Sequence, residues 1–350
     1  MTVLSFSKSR RSHLVIGVLT AAALALSACG GGDSSGSSDD GDHGALTIQL
    51  SWVKNVEFAG EYFADSKGYY KEAGFSSVNL VAGPGATETL VASGKSLVGV
   101  SDPITVADAI NNQQAPLKII ATTYQKNPFT ILSLADKANI ATPQEMIGKK
   151  IGVQAGNESL FKALLAVNNI KDSQVTIVPV QYDPSVLTNG EVDGYLGYVT
   201  DESLTLQARG FKVQNLPFAD NGLTFMTDSY EVSQDSIDNN RAALKDFLYA
   251  TIRGWKDMAA DPDAGVALAV DNYGKALSLD AAAQKLQAAQ AQKLIESDET
   301  AANGLLTISD QAVTENLATL KTAGIDITAD KLFDTSIIAE VYNDHPDLLK

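Results

Sequence analysis

Cysteine and histidine are almost absent from this sequence. Among 350 residues there is one cysteine, Cys29, and the three histidines are His13, His43 and His345. A central region without either residue type has no cysteine nucleophile, no histidine general base and no ordinary zinc site. The sequence also lacks a GxxxxGK[ST] phosphate loop and a GxSxG nucleophile elbow. We therefore expect a protein that is not an enzyme and needs no cofactor, although adjacent acidic residues leave acid–base chemistry open.

Arginine is scarce as well, and the chain is strongly acidic. The formal net charge is −16, from 26 lysines and arginines against 42 acidic residues. Without the first 29 residues, which contain three basic residues and no acidic ones, the net charge becomes −19. The arginines that remain are Arg209, Arg241 and Arg253. This balance argues against nucleic acid as a partner of the main body.

The amino-terminal segment has the layout of an export signal. Three basic residues precede an uncharged run from Leu14 to Ala28, and at about 15 residues that run is too short to span a bilayer comfortably. It ends in LSACG, which resembles the bacterial lipoprotein processing box, where the cysteine becomes lipidated. A plain signal peptide is the alternative, but a lone thiol in an exported protein favours lipidation of Cys29. Residues 30 to 44, GGGDSSGSSDDGDHG, contain no apolar side chain and predict a flexible tether.

The rest of the chain has the alternating pattern of strands and helices that is typical of an α/β protein. Nine short apolar runs between residues 46 and 216 alternate with helical patterns, which predicts mostly parallel sheets covered by helices. From about residue 235 onward the pattern is helical only. Ligands of such sheets bind beyond the carboxyl ends of the strands, and Trp52 follows the first strand at such an end. This position favours ligand contact over a role in core packing.

Five segments carry a resemblance to a known family. They are WVKNVEFAGEYFA (52–64), KGYYKEAG (67–74), GPGATETLVASGKSLVGVS (83–101), GKKIGVQAG (148–156) and GEVDGYLGYVTDE (190–202). Their order and spacing are similar to those of the periplasmic solute-binding proteins of the thiamine-pyrimidine-synthesis-like and sulfonate-binding-like family. The resemblance extends from residue 46 to about residue 260.

This resemblance implies a type II periplasmic-binding-protein fold with two lobes and a C-terminal helical segment. The first lobe is expected to comprise residues 45–130 and 226–350, and the second residues 131–225. The lobes would close on a small-molecule solute, with hinges near residues 121–125 and 223–227, and deliver it to an ABC permease and its ATPase. The protein would be a monomer outside the cytoplasm, anchored to the bacterial cell membrane through lipid on Cys29.

The ligand-binding residues expected in the cleft are aromatic, acidic or amide side chains at strand ends, with residues of the strand-to-helix turns. They are Trp52, Asn55, Glu57, Tyr62, Gly85, Ser101, Asp102, Tyr124, Gln154, Asn157, Tyr182, Tyr198 and Glu202. Tyr195 and Tyr198 are separated by an odd number of positions in one strand, so they cannot both face the cleft, and the family pattern favours Tyr198. Asn157 is also a candidate N-cap.

Aromatic side chains combined with acidic acceptors point to a flat, neutral or cationic heteroaromatic ligand. A thiamine pyrimidine precursor and a flavin-like compound both fit, and the stretch EFAGEY favours the flavin-type members slightly. A sulfonate, taurine or nitrate receptor of the same family is an alternative, but arginine suits such anions best and none is expected near the cleft. A thiamine-pyrimidine biosynthetic enzyme and a ligand sensor are alternatives from other classes.

Overall fold

The computed structural model describes residues 41–349. The predicted signal peptide, Cys29 and residues 30–40 of the predicted tether lie outside the described residues. The tether was expected to reach residue 44, and here the prediction was wrong, because Gly44 already begins the first strand. The neighbouring His43 donates its backbone N–H to the carbonyl of Gly74 at 3.0 Å. Its Nε2 lies 2.6 Å from a carboxylate oxygen of Asp246, so this end of the segment is fixed to the body.

Ten strands form two five-stranded sheets. The strands are β1 Gly44–Gln49, β2 Phe75–Val81, β3 Val98–Ser101, β4 Leu117–Tyr124, β5 Phe129–Leu134, β6 Lys150–Gln154, β7 Thr176–Val180, β8 Gly194–Tyr198, β9 Val213–Pro217 and β10 Thr227–Ser233. The first sheet has the order β2-β1-β3-β10-β4 and the second β7-β6-β8-β5-β9. In each sheet one strand, β10 or β5, runs antiparallel to its neighbours. The prediction of mostly parallel sheets is confirmed.

Fifteen α-helices, several of them short, lie along the described chain. They are α1 Ala59–Ser66, α2 Tyr69–Glu72, α3 Thr87–Ala92, α4 Pro103–Gln113, α5 Glu158–Val167, α6 Ser185–Thr188, α7 Glu202–Ala208, α8 Gln234–Asn239, α9 Arg241–Ala260, α10 Pro262–Ala267, α11 Ala281–Ile295, α12 Asp298–Asn303, α13 Asp310–Thr322, α14 Ala329–Leu332 and α15 Ser336–Asp344. None of the helices within residues 41–349 has the length and apolar character needed to cross a membrane.

The segment after β1 forms a 3-10 turn over Val56–Phe58, followed by α1 and α2. Gly68 separates the two helices with a φ of +77°, a left-handed conformation that suits glycine. Helix α1 packs closely on α9, because a side-chain carbon on Gly254 would lie only 2.0 Å from the carbonyl oxygen of Gly60. This close approach fixes the start of α1 and, with it, the segment that follows β1.

The chain crosses twice between the sheets, between Tyr124 and Phe129 and between Pro217 and Thr227. We refer to each sheet and the helices packed on it as the first and second lobe. The predicted boundaries stay a prediction, although β5 begins at Phe129, two residues before the expected start of the second lobe. Strand β10 was not predicted at all. It is buried along its whole length but carries Thr, Asp, Ser and Glu side chains, so it lacks the apolar pattern of a central strand.

The two lobes are in contact across the cleft. The side-chain amide of Asn55 donates to the carboxylate of Asp201 at 2.6 Å, and Ser159 Oγ donates to that of Asp108 at 3.0 Å. Apolar residues of α4 and α5, including Ile104 and Leu160, also belong to one buried cluster. The described conformation is therefore closed, and it encloses a cavity between the sheets.

Candidate functional site

This cavity lies where strands of both sheets end. Ser51 and Trp52 follow β1, Ser101 ends β3, Gln154 ends β6 and Tyr198 ends β8, and all of them line the cavity. The space between the lining residues is about 630 Å³ when the part that is open to solvent is included. The location agrees with the rule that ligands of α/β sheets bind at the carboxyl ends of parallel strands.

Nine of the thirteen predicted binding residues line this cavity. They are Trp52, Glu57, Gly85, Ser101, Asp102, Gln154, Asn157, Tyr198 and Glu202. Their contact with a ligand stays a prediction, but the structure brings them together from both lobes.

The other four predicted residues lie outside the cavity. Tyr62 is fully buried and stacks on Tyr273, with ring centroids 4.3 Å apart, because it faces the core side of α1. Asn55 accepts from the backbone N–H of Glu57 and donates to Asp201, so it caps the 3-10 turn and joins the lobes. Tyr124 is buried at the end of β4, beside a smaller hollow shared with Asn55. Tyr182 is 44% exposed because it follows the edge strand β7.

Trp52 occupies an intermediate position between core and cavity. It is partly buried against the apolar core of the first lobe while it also lines the cavity. Its carbonyl accepts a hydrogen bond from the backbone N–H of Gly83 at 2.8 Å, which draws the turn around Gly85 to the same wall. A side-chain carbon on Gly83 would lie 2.5 Å from the carbonyl oxygen of Ser51, so this close approach requires glycine.

Tyr198 contributes the aromatic wall of the second lobe. Its ring lies perpendicular to that of Phe129, with centroids 4.6 Å apart, and its hydroxyl donates to Asp228 at 3.4 Å. Tyr195 is buried on the opposite face of β8 and donates to the carbonyl of Gln181 at 2.9 Å. The alternation expected for this strand therefore places Tyr198, and not Tyr195, in the cavity.

Several polar residues of the cavity are held by hydrogen bonds within the protein. Asp102 caps α4 by accepting from the backbone N–H groups of Ile104 and Thr105 at 2.9 and 3.0 Å. Glu202 accepts from the backbone N–H of Tyr198 at 2.8 Å, and Gln154 donates to the carbonyl of Leu196 at 2.7 Å. These bonds keep the carboxylate and amide groups in place before any ligand arrives.

Asn157 differs from its expected role as an N-cap. It stands at the N-cap position of α5, but its side chain makes no capping hydrogen bond and instead donates to Gln154 Oε1 at 3.3 Å. Its amide remains directed to the cavity wall and not to the helix end.

The cavity is also lined by Phe129, Thr227 and Asp228, which were not among the predicted binding residues. All three stand at the amino ends of the antiparallel strands β5 and β10. The amino end of an antiparallel strand lies at the same sheet edge as the carboxyl ends of its parallel neighbours. These residues could have been predicted if the strand directions had been known. A search restricted to the carboxyl ends of strands misses them.

Six carboxyl groups dominate the electrostatics of the cavity. They are Glu57, Glu88, Asp102, Asp201, Glu202 and Asp228, and none of the residues lining the cavity is lysine, arginine or histidine. Burial raises the pKa of every one of them. It raises the pKa of Asp201 to about 6 and, together with the charge of Glu61, that of Asp228 to about 8.

Repulsion between these carboxyl groups raises the pKa in the same way as burial does. The pKa of Glu57 lies well above its usual range because of burial first and then the charges of Asp228, Asp201 and Glu202. An anionic ligand would add to this repulsion, whereas a cation or an N–H donor would relieve it. No three His, Cys, Asp or Glu side chains within residues 41–349 are arranged to hold a metal ion.

A protein-family model described as NMT1/THI5 like matches residues 55–265, which is more than half of the chain. The chain belongs to the NMT1/THI5-like family. The riboflavin-binding protein RibY of Chloroflexus aurantiacus is 26% identical over 292 residues, which cover 80% of this chain and 81% of RibY. This member of the NMT1/THI5-like family therefore matches RibY along most of both chains.

Solved structures show the same fold. A protein from Bordetella bronchiseptica RB50 superposes with a TM-score of 0.71 at 16% identity, covering 86% of this chain and 98% of that one. The ligand-binding component of an ABC-type import system from Staphylococcus aureus gives a TM-score of 0.62 at 13% identity, covering 85% and 99%. The NMT1/THI5-like chain thus has the fold of periplasmic binding proteins.

The fold alone does not decide the ligand or the activity. The periplasmic aliphatic sulphonate-binding protein SsuA of Escherichia coli gives a TM-score of 0.57 at 16% identity, covering 87% of this chain and 89% of SsuA. The desulfurization enzyme DSZB gives 0.55 at 14% identity, covering 87% of this chain and all of DSZB. Function in this NMT1/THI5-like protein has to be argued from the residues of the cavity.

Proposed function

We propose that this protein is the extracytoplasmic substrate-binding lipoprotein of an ABC importer. It would capture a small planar heteroaromatic solute that donates hydrogen bonds, a thiamine pyrimidine precursor or a riboflavin-like compound, and deliver it to the permease. The observation that carries the proposal is a cavity between two lobes with three aromatic side chains, six carboxyl groups and no basic residue. The membership in the NMT1/THI5-like family and the similarity to RibY support it.

The chemistry of the cavity fits such a solute. Trp52, Phe129 and Tyr198 offer aromatic surface for a flat ring, and the carboxyl groups accept hydrogen bonds from ring N–H, amino or hydroxyl groups. A micromolar dissociation constant requires about −8 kcal/mol. Aromatic contacts of roughly 1 kcal/mol each beyond buried area, with two or three charge-assisted hydrogen bonds, can supply this.

A sulfonate, taurine or nitrate receptor fits this cavity less well. Those anions need cationic or N–H donors, whereas all the charged side chains here are carboxyl groups, which repel negative charge. An enzyme of thiamine-pyrimidine synthesis is disfavoured because the cavity lining contains no cysteine or histidine. A ligand sensor with the same two lobes is the remaining alternative. Its gene would lie beside a kinase or cyclase gene, whereas the gene of a transport protein would lie beside permease and ATPase genes.

A thermal-shift screen of the purified protein tests the proposal. Thiamine, its pyrimidine fragments, riboflavin, taurine and alkanesulfonates are added separately, and a ligand that binds only the folded form raises the unfolding midpoint. At 100 times the dissociation constant the stabilisation is about 2.7 kcal/mol. We expect a flat heteroaromatic to give the largest shift. A shift with sulfonates alone would overturn the proposed ligand class.

Glu202→Gln is expected to weaken the binding of an aminopyrimidine by roughly tenfold, because a charge-assisted hydrogen bond becomes a neutral one. The amide oxygen can still accept from the backbone N–H of Tyr198, so the end of β8 should keep its conformation. Isothermal titration calorimetry measures the change. Equal weakening of an aminopyrimidine and of an alkanesulfonate would contradict a role for the negative charge.

A further inference from the structure

A chain of hydrogen-bonded side chains joins the two lobes beside the cavity. The backbone N–H of Val56, in the turn after β1, donates to Gln284 Oε1 at 2.8 Å, and Gln284 Nε2 donates to Gln287 Oε1 at 2.7 Å. Gln287 Nε2 in turn donates to Oδ1 of Asp201, at the start of α7 in the second lobe. Oδ2 of Asp201 accepts from the side-chain amide of Asn55 at 2.6 Å. One carboxyl group of the second lobe is therefore held between two amide groups of the first.

Helix α11 presents both glutamines from one face. Gln284 and Gln287 are three positions apart, so they lie on the same side of the helix, and each is 3% exposed. Gln287 Nε2 also donates to the hydroxyl of Thr205 in α7 at 3.3 Å. Buried amide groups are costly unless they are paired, and the partners of the Gln287 amide nitrogen belong to the second lobe. This position therefore favours contact between the lobes over simple packing of α11.

The position of α11 is set by the first lobe. In the segment before α11, a side-chain carbon on Gly274 would lie only 2.2 Å from the carbonyl oxygen of Lys54, so the two backbones are in close contact. Near the other end of α11, the carbonyl of Leu294 accepts from the backbone N–H of Gln125 at 2.8 Å. Because α11 is held in this way, it stays with the first lobe when the lobes separate. The contact between Gln287 and the second lobe then has to break.

We infer that Gln287 and Asn55 are positioning residues that hold Asp201 and thereby keep the two lobes closed. We refer to these three residues as the clasp. Neither Gln287 nor Asn55 lines the cavity, so their effect on a solute acts through the lobes and not through contact with it. A solute enclosed between the lobes leaves only after they separate, so the clasp should slow its release. This inference goes beyond the proposed function, because it does not depend on the class of solute.

The charge of Asp201 strengthens the clasp. Burial raises the pKa of Asp201 to about 6, while the hydrogen bonds from Gln287 and Asn55 lower it. At about pH 8 the carboxyl group is therefore ionised, and both hydrogen bonds are charge-assisted. Such bonds are roughly twice as strong as those between neutral groups.

Gln287→Glu tests the clasp with a side chain of the same shape. At about pH 8 it places a second negative charge beside Asp201, and the repulsion should separate the lobes. Small-angle X-ray scattering of the purified protein without added solute should then give a larger radius of gyration than the wild type. Gln287→Leu removes the donor and keeps good helix propensity, so it should fold and change the radius in the same direction. Gln290→Glu, at an exposed position of α11, is the matched control and should give the wild-type curve.

Combining Gln287→Glu with Asp201→Asn exchanges donor and acceptor across the contact. The amide that Asp201→Asn introduces can donate to the carboxylate that Gln287→Glu introduces, and its oxygen can still accept from Asn55. The radius of gyration should therefore return to the wild-type value. If Gln287 only contributed to the stability of α11, the second substitution would not restore the radius.

Stopped-flow fluorescence with riboflavin as the probe measures release. The loss of one charge-assisted hydrogen bond in Gln287→Leu should make dissociation about tenfold faster. The association rate should change little, since mutations of this kind act mainly on dissociation.

Three results would overturn the inference. They are equal radii of gyration for the wild type and Gln287→Glu, a double variant that stays as open as Gln287→Glu, and equal riboflavin release from the wild type and Gln287→Leu. Failure of riboflavin to bind would count against the riboflavin-like class of the proposed function alone, because the scattering comparison decides on the clasp without a solute.

Discussion

Trp52→Ala is expected to abolish measurable solute binding while the protein stays folded. The indole lines the cavity at the end of β1 and lies beside the turn that carries Gly85. Truncation of an aromatic anchor in a binding site costs roughly 2–4 kcal/mol, which lowers affinity by about 30- to 1000-fold. A micromolar ligand would then bind near the millimolar range, below what calorimetry resolves at ordinary protein concentrations.

Two variants show whether this loss comes from the aromatic ring. Trp52→Phe keeps an aromatic face and should recover part of the affinity. Tyr182→Ala removes an aromatic side chain of similar size from outside the cavity and should leave binding unchanged. Because Trp52 is only partly buried, we expect its replacement by alanine to lower the unfolding midpoint by no more than about 4 °C. Unchanged affinity in Trp52→Ala would show that the indole only packs against the core.

The sequence was sufficient to predict helix-covered sheets and nine of the residues that line the cavity, because both depend on local patterns. Strands β1, β3, β6 and β8 have apolar runs, and the residues that follow a parallel strand lie at one sheet edge. Trp52, Ser101, Gln154 and Tyr198 could therefore be placed before the fold was known. The expectation that the chain forms two lobes came from its resemblance to a known family.

Strand β10 could not be predicted in this way, and Asp228 was missed with it. Its polar side chains find partners that are distant in sequence: the hydroxyls of Ser229 and Thr122 lie 3.0 Å apart, and Tyr230 donates to Glu61 at 2.5 Å. Long-range hydrogen bonds of this kind replace the apolar alternation that marks a strand. Tyr62 and Tyr124 were misplaced for a related reason, because local sequence does not show whether a tyrosine in α1 or at the end of β4 faces the core or the cleft.

The second large effect that we expect is on the stability of the protein, and it involves the same long-range hydrogen bonds. Glu61 is buried in α1, where its Oε1 accepts from the hydroxyl of Tyr230, while its Oε2 has no hydrogen-bond partner among residues 41–349. Trp255 Nε1 donates to the same Tyr230 oxygen at 3.1 Å. Burial raises the pKa of Glu61 from 4.5 to about 7, because no cation compensates the charge within its hydrogen-bonded network.

A carboxyl group whose pKa is raised by folding stabilises the folded state in its protonated form. The contribution of Glu61 is complete below about pH 4.5 and is lost as the pH rises to about 7, since the unfolded chain releases the proton first. The shift corresponds to about 3 kcal/mol. In Glu61→Gln the side chain cannot ionise, so the variant should gain about 3 kcal/mol of unfolding free energy relative to the wild type between pH 4.5 and pH 8.

Urea unfolding of both proteins at several pH values measures this difference. The amide oxygen that Glu61→Gln introduces can still accept from Tyr230, and any cost of the new amide group is the same at every pH, so it cancels in the comparison. Glu315→Gln, at an exposed position in α13, is the matched control. Its free energy of unfolding should equal that of the wild type at every pH. If the unfolding free energy of Glu61→Gln has the same pH dependence as that of the wild type, Glu61 is ionised in the folded protein at neutral pH. A further donor must then satisfy Oε2 of Glu61.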